Sequence, residues 1–332
     1  LDAERAIERL QPVEFGTEVS PIPGVTMRLD PAGHILGSAT LTIEDGTRTL
    51  VFSGDLGRGI HPLLRPPTPP TGADVVVIES TYGDREHADI DPEIDRLADA
   101  ITRTIKRGGT VVIPAFAVDR TEILLKALHD LQDTHRIPKV PIHVDSPMAL
   151  AAMRVYREAI ADGDPELLTS TIAMGPQIID PGNLFEAHTP DESKALDGGG
   201  GRIIVSASGM ATGGRVVHHL KAFLPDPDST IVLAGYQAAG TPGHALAAGA
   251  AQVKLHGEYV KVRASIVVID AFSVHADGSE LIDWLKSSQP SVQQVFVQHG
   301  EPDAAAALAA RIMRELDVVA VVPVPGERVA IG

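Results

Sequence analysis

The sequence predicts an α/β protein in which a βαβ module is inserted into a β-rich sandwich built from the two ends of the chain. Three observations predict it. Residues 1–84 read as β-branched and apolar runs separated by turns, residues 85–242 alternate helical segments with buried strands, and residues 243–332 return to strand patterns before the last helices. Alternating β and α segments imply a parallel sheet covered by helices, whereas short strands joined by turns imply antiparallel pairing.

The elements follow in order. VTMRL and ATLTIE are strands, and Asp45-Gly46 turns the second into RTLVFSGD, giving a hairpin. DVVVIES follows the proline-rich loop Pro66 to Pro70. A helix from about Asp91 ends at Gly108-Gly109, then come the strand TVVIPA, a helix from Val118 to Leu131 and the strand PIHVD. RIIVSAS, a helix after Gly213-Gly214, and STIVLAGY continue the parallel pattern. After His244 the run VKLHGEYVKVRASIVVIDAFS reads as strands of the outer sandwich, followed by a helix, QQVFVQHG, a last helix and VVAVVPV.

Composition narrows the function. At 332 residues with 44% hydrophobic content and a mean hydropathy of +0.08, the chain can bury a substantial core. Zero cysteines exclude disulfides, thiolate metal sites and cysteine nucleophiles, so a metal would be held by His, Asp or Glu, a set that suits zinc or manganese. A net charge of -16 argues against a broadly basic nucleic-acid coat and leaves room for a local basic groove. No apolar run reaches membrane-spanning length, and LDAERAIERL has neither an initiator Met nor the apolar core of a signal peptide. The expectation is a cytoplasmic protein without membrane contact whose natural start lies upstream of Leu1.

Three strings carry metal chemistry: PAGHILGSA around His34, FSGDLGR around Asp55 and FSVHAD around His275. Each places one potential ligand at a strand end, where a short loop can aim it into a cleft. A dinuclear hydrolase needs imidazoles and a carboxylate able to bridge two ions. Alone, His34 reads first as a turn cap and Asp55 as an Asx-turn; the three strings together reverse this and read as half of a binuclear zinc site. No His-x-His-x-Asp-His occurs in the chain.

PAGHILGSA, SGDLGR, ESTYGDR, GTPGHAL and FSVHAD, in this order and with a βαβ insert between the third and fourth, resemble the metallo-β-lactamase-fold nucleases of the beta-CASP family. They are most similar to bacterial and archaeal relatives of the nuclease subunit of the pre-mRNA cleavage and polyadenylation machinery. The resemblance implies an αββα sandwich lacking its N-terminal part, with sandwich portions at 1–84 and 243–332 and the beta-CASP insert at 85–242. It implies His34, Asp55 and His275 as ligands of two zinc ions that share a hydroxide, Glu79 and His244 as catalytic companions, and His299 as a supporting residue. Glu79 would steady a histidine that meets the leaving oxygen, and His244 would be the general acid. The family's His-x-His-x-Asp-His is expected upstream of Leu1 or on a complementing chain. Without those strands a sheet edge and a core face would be uncovered.

In SASGMATGGRVVHHL, glycines precede a helix whose first turn carries Arg215, a pattern suited to phosphate through backbone N–H groups and a guanidinium. Ser208, Gly213, Gly214, Arg215 and His218 are therefore candidate RNA-backbone contacts. Ser146 in DSPMA is either a substrate contact or an N-cap with Pro147 at the first helical position. Tyr82 and Tyr236 read either as base-stacking residues or as core and rim. The function implied is a zinc-dependent endonuclease for single-stranded RNA, with 5′ exonuclease activity as a further mode. Alternatives are a metal-poor RNA-binding scaffold and, less suited to so large an insert, a small-molecule metallo-hydrolase. The C-terminal strand also offers an edge on which a second copy could form a homodimer.

Overall fold

The computed structural model describes residues 2–329 and 331. It begins with α1 (Asp2–Ile7), β1 (Val19–Ile22), β2 (Val25–Pro31), β3 (Ala39–Glu44), β4 (Thr49–Phe52) and β5 (Val75–Ile78). There follow α2 (Ile90–Lys106), β6 (Thr110–Pro114), α3 (Arg120–Asp133), β7 (Ile142–Val144), α4 (Pro147–Asp162), α5 (Thr169–Met174), β8 (Leu184–Glu186), α6 (Pro190–Ala195) and β9 (Arg202–Ser206). The remainder is α7 (Val216–Phe223), β10 (Thr230–Ala234), α8 (Pro242–Ala247), β11 (Gln252–Leu255), β12 (Glu258–Lys261), β13 (Ser265–Ile269), α9 (Gly278–Lys286), β14 (Gln294–Val297), α10 (Pro302–Leu316) and β15 (Val319–Val321). Two compact units result, one from residues up to Glu86 together with those from Val274 onward, the other from His87–Ser273. Among the described residues no helix is long and apolar enough to cross a membrane.

The first unit holds a seven-stranded sheet of order β1-β2-β3-β4-β5-β14-β15. Strands β1 to β4 form an antiparallel meander, and β4, β5, β14 and β15 are parallel. The predicted hairpin turn is present: Asp45 Oδ1 accepts from the backbone N–H groups of Thr47 and Arg48, both at 2.9 Å. Helices α9 and α10 cover one face, where Leu281, Leu285, Leu308 and Ile312 pack with Val51, Val76, Ile78, Val295 and Val297. A capping box starts α9, Asp277 and Glu280 each accepting from the other's backbone N–H.

The opposite face of this sheet bears Met27, Leu29, Leu41, Ile43, Leu50, Phe52 and Val77, which the strand registers set side by side. All seven are only half-buried. Among the described residues the unit contains one seven-stranded sheet with one helix layer, α9 and α10, on its other face.

The second unit is built on a six-stranded sheet of order β13-β10-β6-β9-β7-β8, every pairing parallel. Its central strands β6 and β10 are fully buried and apolar after their leading threonines, as both-face coverage requires. Helix α7 packs on the face of Val112, Ile204, Ile231 and Leu233, a cluster that none of the buried leucines of α3 joins. The expected return to the sandwich at 243 is corrected to 274. Strand β13 pairs along its whole length with β10, from Thr230 beside Ser265 to Ala234 beside Ile269, and the β11–β12 hairpin adds Val253, Leu255 and Val260 to the α7 cluster.

Glu122 on α3 is fully buried, and neither carboxylate oxygen meets a hydrogen-bond partner. Burial, reinforced by the Asp119 charge, pushes its carboxyl up to about 8. The folded state therefore holds a proton that the unfolded chain releases near the ordinary carboxylate value. Stability is fully present below about pH 4.5 and falls as pH rises to about 8, by roughly 3–5 kcal/mol at most. Glu122→Gln is expected to raise Tm at pH 8.5 and to flatten the slope between pH 5 and 8, checked by thermal melts across that range. An unchanged slope would show that Glu122 ionises without cost in the fold.

Candidate metal centre

The centre is assembled at one end of the first unit's sheet by five segments. The loop after β2 carries His34, and its turn is closed by Ser38, whose Oγ accepts from the N–H groups of His34 and Ile35 at 3.1 and 3.2 Å. The loop after β4 crosses beneath it: Gly57 donates to the Ala32 carbonyl at 2.9 Å, and a side chain at Gly57 would place its Cβ 1.7 Å from the Gly33 oxygen. Only glycine fits this crossing, which explains the second glycine of SGDLGR. The FSVHAD segment joins through an isolated bridge between Gly57 and His275 and through Ala276 donating to the Leu56 carbonyl at 2.8 Å.

Ser53 and Glu79 tie the loop after β4 to the end of β5 in both directions. The Glu79 N–H donates to Ser53 Oγ at 3.0 Å, and the Glu79 carboxylate accepts from the Leu56 N–H at 2.6 Å. Glu79 is 1% exposed. Its carboxylate takes Nδ1 of His275 at 3.2 Å to each oxygen. Burial drives the Glu79 carboxyl upward, but the His275 hydrogen bond and charge, with Thr81 and Leu56, hold it below the ordinary value. It is thus a fixed anion at neutral pH. The sequence pairs Glu79 with a proton-delivering histidine; the structure pairs it with His275 and makes it a positioning residue.

His34, Asp55 and His275 offer ligand atoms that all lie within 4.8 Å of one another. The His34 and His275 rings stand 4.3 Å apart, and His34 Nε2 is 4.0 Å from Asp55 Oδ2. His299, in the turn after β14, reaches Asp55 Oδ1 with Nδ1 at 3.0 Å, and its backbone carbonyl accepts from Ser80. Five residues singled out from the sequence, His34, Asp55, Glu79, His275 and His299, therefore meet within one unit. Ser53 and Gly57 were missed as organisers, although both lie inside the FSGDLGR string. Tyr82 is 5% exposed and belongs to the core.

The other candidates lie in the second unit. His244, in the first turn of α8, is exposed, and its Nδ1–H donates to the Gln237 carbonyl at 3.2 Å, which leaves Nε2 as the proton-exchanging nitrogen. Gln237 is itself anchored by Nε2 donating to the carbonyls of Gly209 and Gly235 at 3.2 Å. His218 is exposed on α7, while its neighbour His219 is fully buried. Ser208 closes a local turn, its N–H and Oγ both facing the Gly213 carbonyl, with Gly214 following at positive φ.

The structure shows the N-cap reading of Ser146 and corrects the expectation for Arg215. Ser146 is the N-cap of α4, its Oγ accepting from the Ala149 N–H at 3.2 Å, and is 5% exposed, so its hydroxyl serves the helix. Arg215 is not an open phosphate clamp: Nη1 binds Asp145 Oδ1 at 2.6 Å and the Ala187 carbonyl at 3.0 Å, and Nη2 binds the His188 carbonyl at 3.1 Å. The hub is Asp145, fully buried, which also takes Nε2 of His219 at 2.7 Å and the Ser193 hydroxyl. Nδ1 of His219 reaches Asp197 at 2.6 Å. Neither Asp145 nor His219 was singled out as functional from the sequence.

The Beta-Casp domain family matches residues 121–246, and the family described as "Zn-dependent metallo-hydrolase RNA specificity domain" matches residues 259–323. Ribonuclease TTHA0252 of Thermus thermophilus is 36% identical over 308 residues, covering 92% of this chain and 70% of that protein. The chain belongs to the beta-CASP family of metallo-β-lactamase-fold ribonucleases. An RNase J-like protein of Methanocaldococcus jannaschii is 32% identical over 330 residues, covering 98% of this chain and 75% of that protein. Transcription termination factor FttA of Methanothermobacter thermautotrophicus is 30% identical over 345 residues, covering 99% of this chain and 53% of that protein. Among solved structures, a protein of unknown function from Enterococcus faecalis shares the fold at a TM-score of 0.50 and 10% identity, covering 96% of this chain and 67% of that one.

The residues present suit the metal that the family implies. Two imidazoles and a carboxylate, with one imidazole oriented by a buried carboxylate, form a hard nitrogen and oxygen set of the kind that holds hydrolytic zinc.

Proposed function

We propose that this beta-CASP hydrolase is a zinc-dependent endonuclease that cuts single-stranded RNA, with 5′ exonuclease activity as a second mode. The observation that carries the proposal is the convergence of His34, Asp55 and His275 from three separate strings onto one place, with Glu79 behind His275. The matches to a ribonuclease, an RNase J-like protein and a domain described by RNA specificity support RNA as the substrate. Two zinc ions are proposed for the complete site. Their remaining ligands would come from a segment or chain carrying His-x-His-x-Asp-His, whose strands would also cover the half-exposed face with Leu41, Leu50 and Phe52.

Zinc, when bound, supplies a Lewis acid for the phosphoryl group and a nucleophile at neutral pH. The residues do the remaining work. Glu79 fixes the His275 tautomer with the proton on Nδ1, so Nε2 presents its lone pair. His299 holds one oxygen of Asp55 and leaves the other toward His34. His244, anchored through Nδ1 to the Gln237 carbonyl, carries a proton at Nε2 for the departing sugar oxygen.

Glu79→Gln replaces the fixed anion behind His275 with a neutral amide, and is expected to lower zinc affinity and cleavage rate about 10- to 100-fold. Zinc titration and initial rates check this; wild-type affinity would show that Glu79 does not act through His275. A circular single-stranded RNA tests the proposed mode. The expected result is zinc-dependent opening of the circle, abolished by a chelator. A circle left intact while a linear RNA is trimmed from its 5′ end would replace the endonuclease reading with an exonuclease one, and RNA binding without any cleavage would replace it with a scaffold.

A further inference from the structure

In parallel α/β sheets, ligands lie beyond the carboxyl ends of adjacent strands whose following helices lie on opposite faces. In the second unit β6 and β9 are such neighbours. Helix α7, after β9, packs on the Val112 and Ile204 face, and α3, after β6, does not join it. At the carboxyl end of β6 stands Phe116.

Its surroundings are almost closed: Ala115 is fully buried, Ala117 is 8% exposed, Asp119 is fully buried and Arg120 is 5% exposed. Phe116 itself is 39% exposed. The chain positions an apolar ring in water and then holds it there. The Phe116 carbonyl accepts from the Thr121 hydroxyl at 2.9 Å, and the ring edge lies against Gly209 from the loop after β9, where a Cβ would come within 2.9 Å of Cδ2. The Arg120 guanidinium stands 6.0 Å from the ring centroid and is tied by Nη1 to the Ala234 carbonyl at 2.9 Å. Val118 and Met148, near the carboxyl ends of β6 and β7, are also exposed.

We propose that Phe116 is a base-stacking platform, on which one nucleobase of single-stranded RNA is held against the second unit. The proposal rests on the RNA-cleaving reading above. A rigid aromatic ring backed by a guanidinium is the chemistry that binds any base by its π-face without reading its edges. Phe116 is therefore a sequence-tolerant affinity residue rather than a catalytic one. The sequence offers Tyr82 and Tyr236 for this task only beside a core or rim reading, and it gives no sign of which aromatic residue is exposed at a strand end.

The test is the affinity of the whole protein for a short single-stranded oligoribonucleotide, measured with a chelator present so that none is cut. Phe116→Ala and Phe116→Leu are each expected to weaken binding about tenfold, with Tm unchanged, because leucine keeps the apolar contact but not the π-face. Phe116→Trp is expected to retain affinity, and the emission of the introduced indole, read against the single native Trp284, should be quenched when RNA binds. Ala and Leu variants that bind within twofold of wild type, or an introduced indole whose emission is indifferent to RNA, would overturn the stacking role while leaving the nuclease reading intact. A wild-type protein that binds no single-stranded RNA would overturn both.

Discussion

Replacing His244 with alanine is expected to slow RNA cleavage about 10²–10⁴-fold, the usual contribution of a positioned general acid. The histidine is exposed in the first turn of α8, and the Nδ1 bond to the Gln237 carbonyl leaves a single nitrogen for proton exchange. His244 is not among the candidate ligands, so the variant should bind zinc as wild type does. A substrate whose scissile bond leaves as a thiolate needs no proton, and with it the defect should shrink to a few-fold. Equal defects on oxygen and sulfur leaving groups would remove His244 from proton delivery.

Asp145→Ala is expected to cost the second unit about 3–5 kcal/mol, the usual penalty for leaving buried charge without its partner. The carboxylate is fully buried and binds Arg215, His219 and Ser193 together. For a unit of this size the loss lowers Tm on the order of 10 °C. The pH dependence has a defined sign. Burial opposes the charged form of His219, but its bonds to Asp145 and Asp197 outweigh it and raise its pKa. That contribution is fully present below about pH 6.5 and is lost as pH rises through the raised value. Burial likewise opposes ionised Asp145, but His219, Ser193 and Arg215 lower its pKa, a contribution present above about pH 3.8 and lost as pH falls through the lowered value. Asp145→Ala should remove the Asp145 dependence and weaken the His219 one, which Asp197 still supports. A variant that melts within 2 °C of wild type would show that the network is structurally idle.

Local patterns carried most of the fold into view from the sequence. ATLTIE coincides with β3, TVVIP with β6, and Asp45-Gly46 makes the hairpin turn, because alternation, β-branching and turn chemistry act over a few residues. The boundary at 243 failed for a nonlocal reason. SIVVI reads as a buried strand whichever sheet receives it, and only its pairing with β10 assigns it to the second unit. The metal candidates were legible because each sits in a glycine-bounded string that local geometry requires. Glu79 was legible as an acid at a strand end, but its partner was not, since His275 lies 196 positions away. Arg215 looked like a phosphate ligand for the same reason: the carboxylate that claims it is 70 positions away, in a segment that announces only an N-cap.

The most direct measurement is zinc binding to the purified protein, by titration and by X-ray absorption, for wild type and for Asp55→Ala and His275→Ala. The prediction is that wild type binds zinc through nitrogen and oxygen donors at about 2.0–2.1 Å, with an imidazole signature. Each variant should lose at least about tenfold in affinity while keeping its melting temperature in metal-free buffer. Zinc uptake by the two variants equal to that of wild type, or a wild-type spectrum without imidazole, would contradict the assignment of His34, Asp55 and His275 as this chain's ligands.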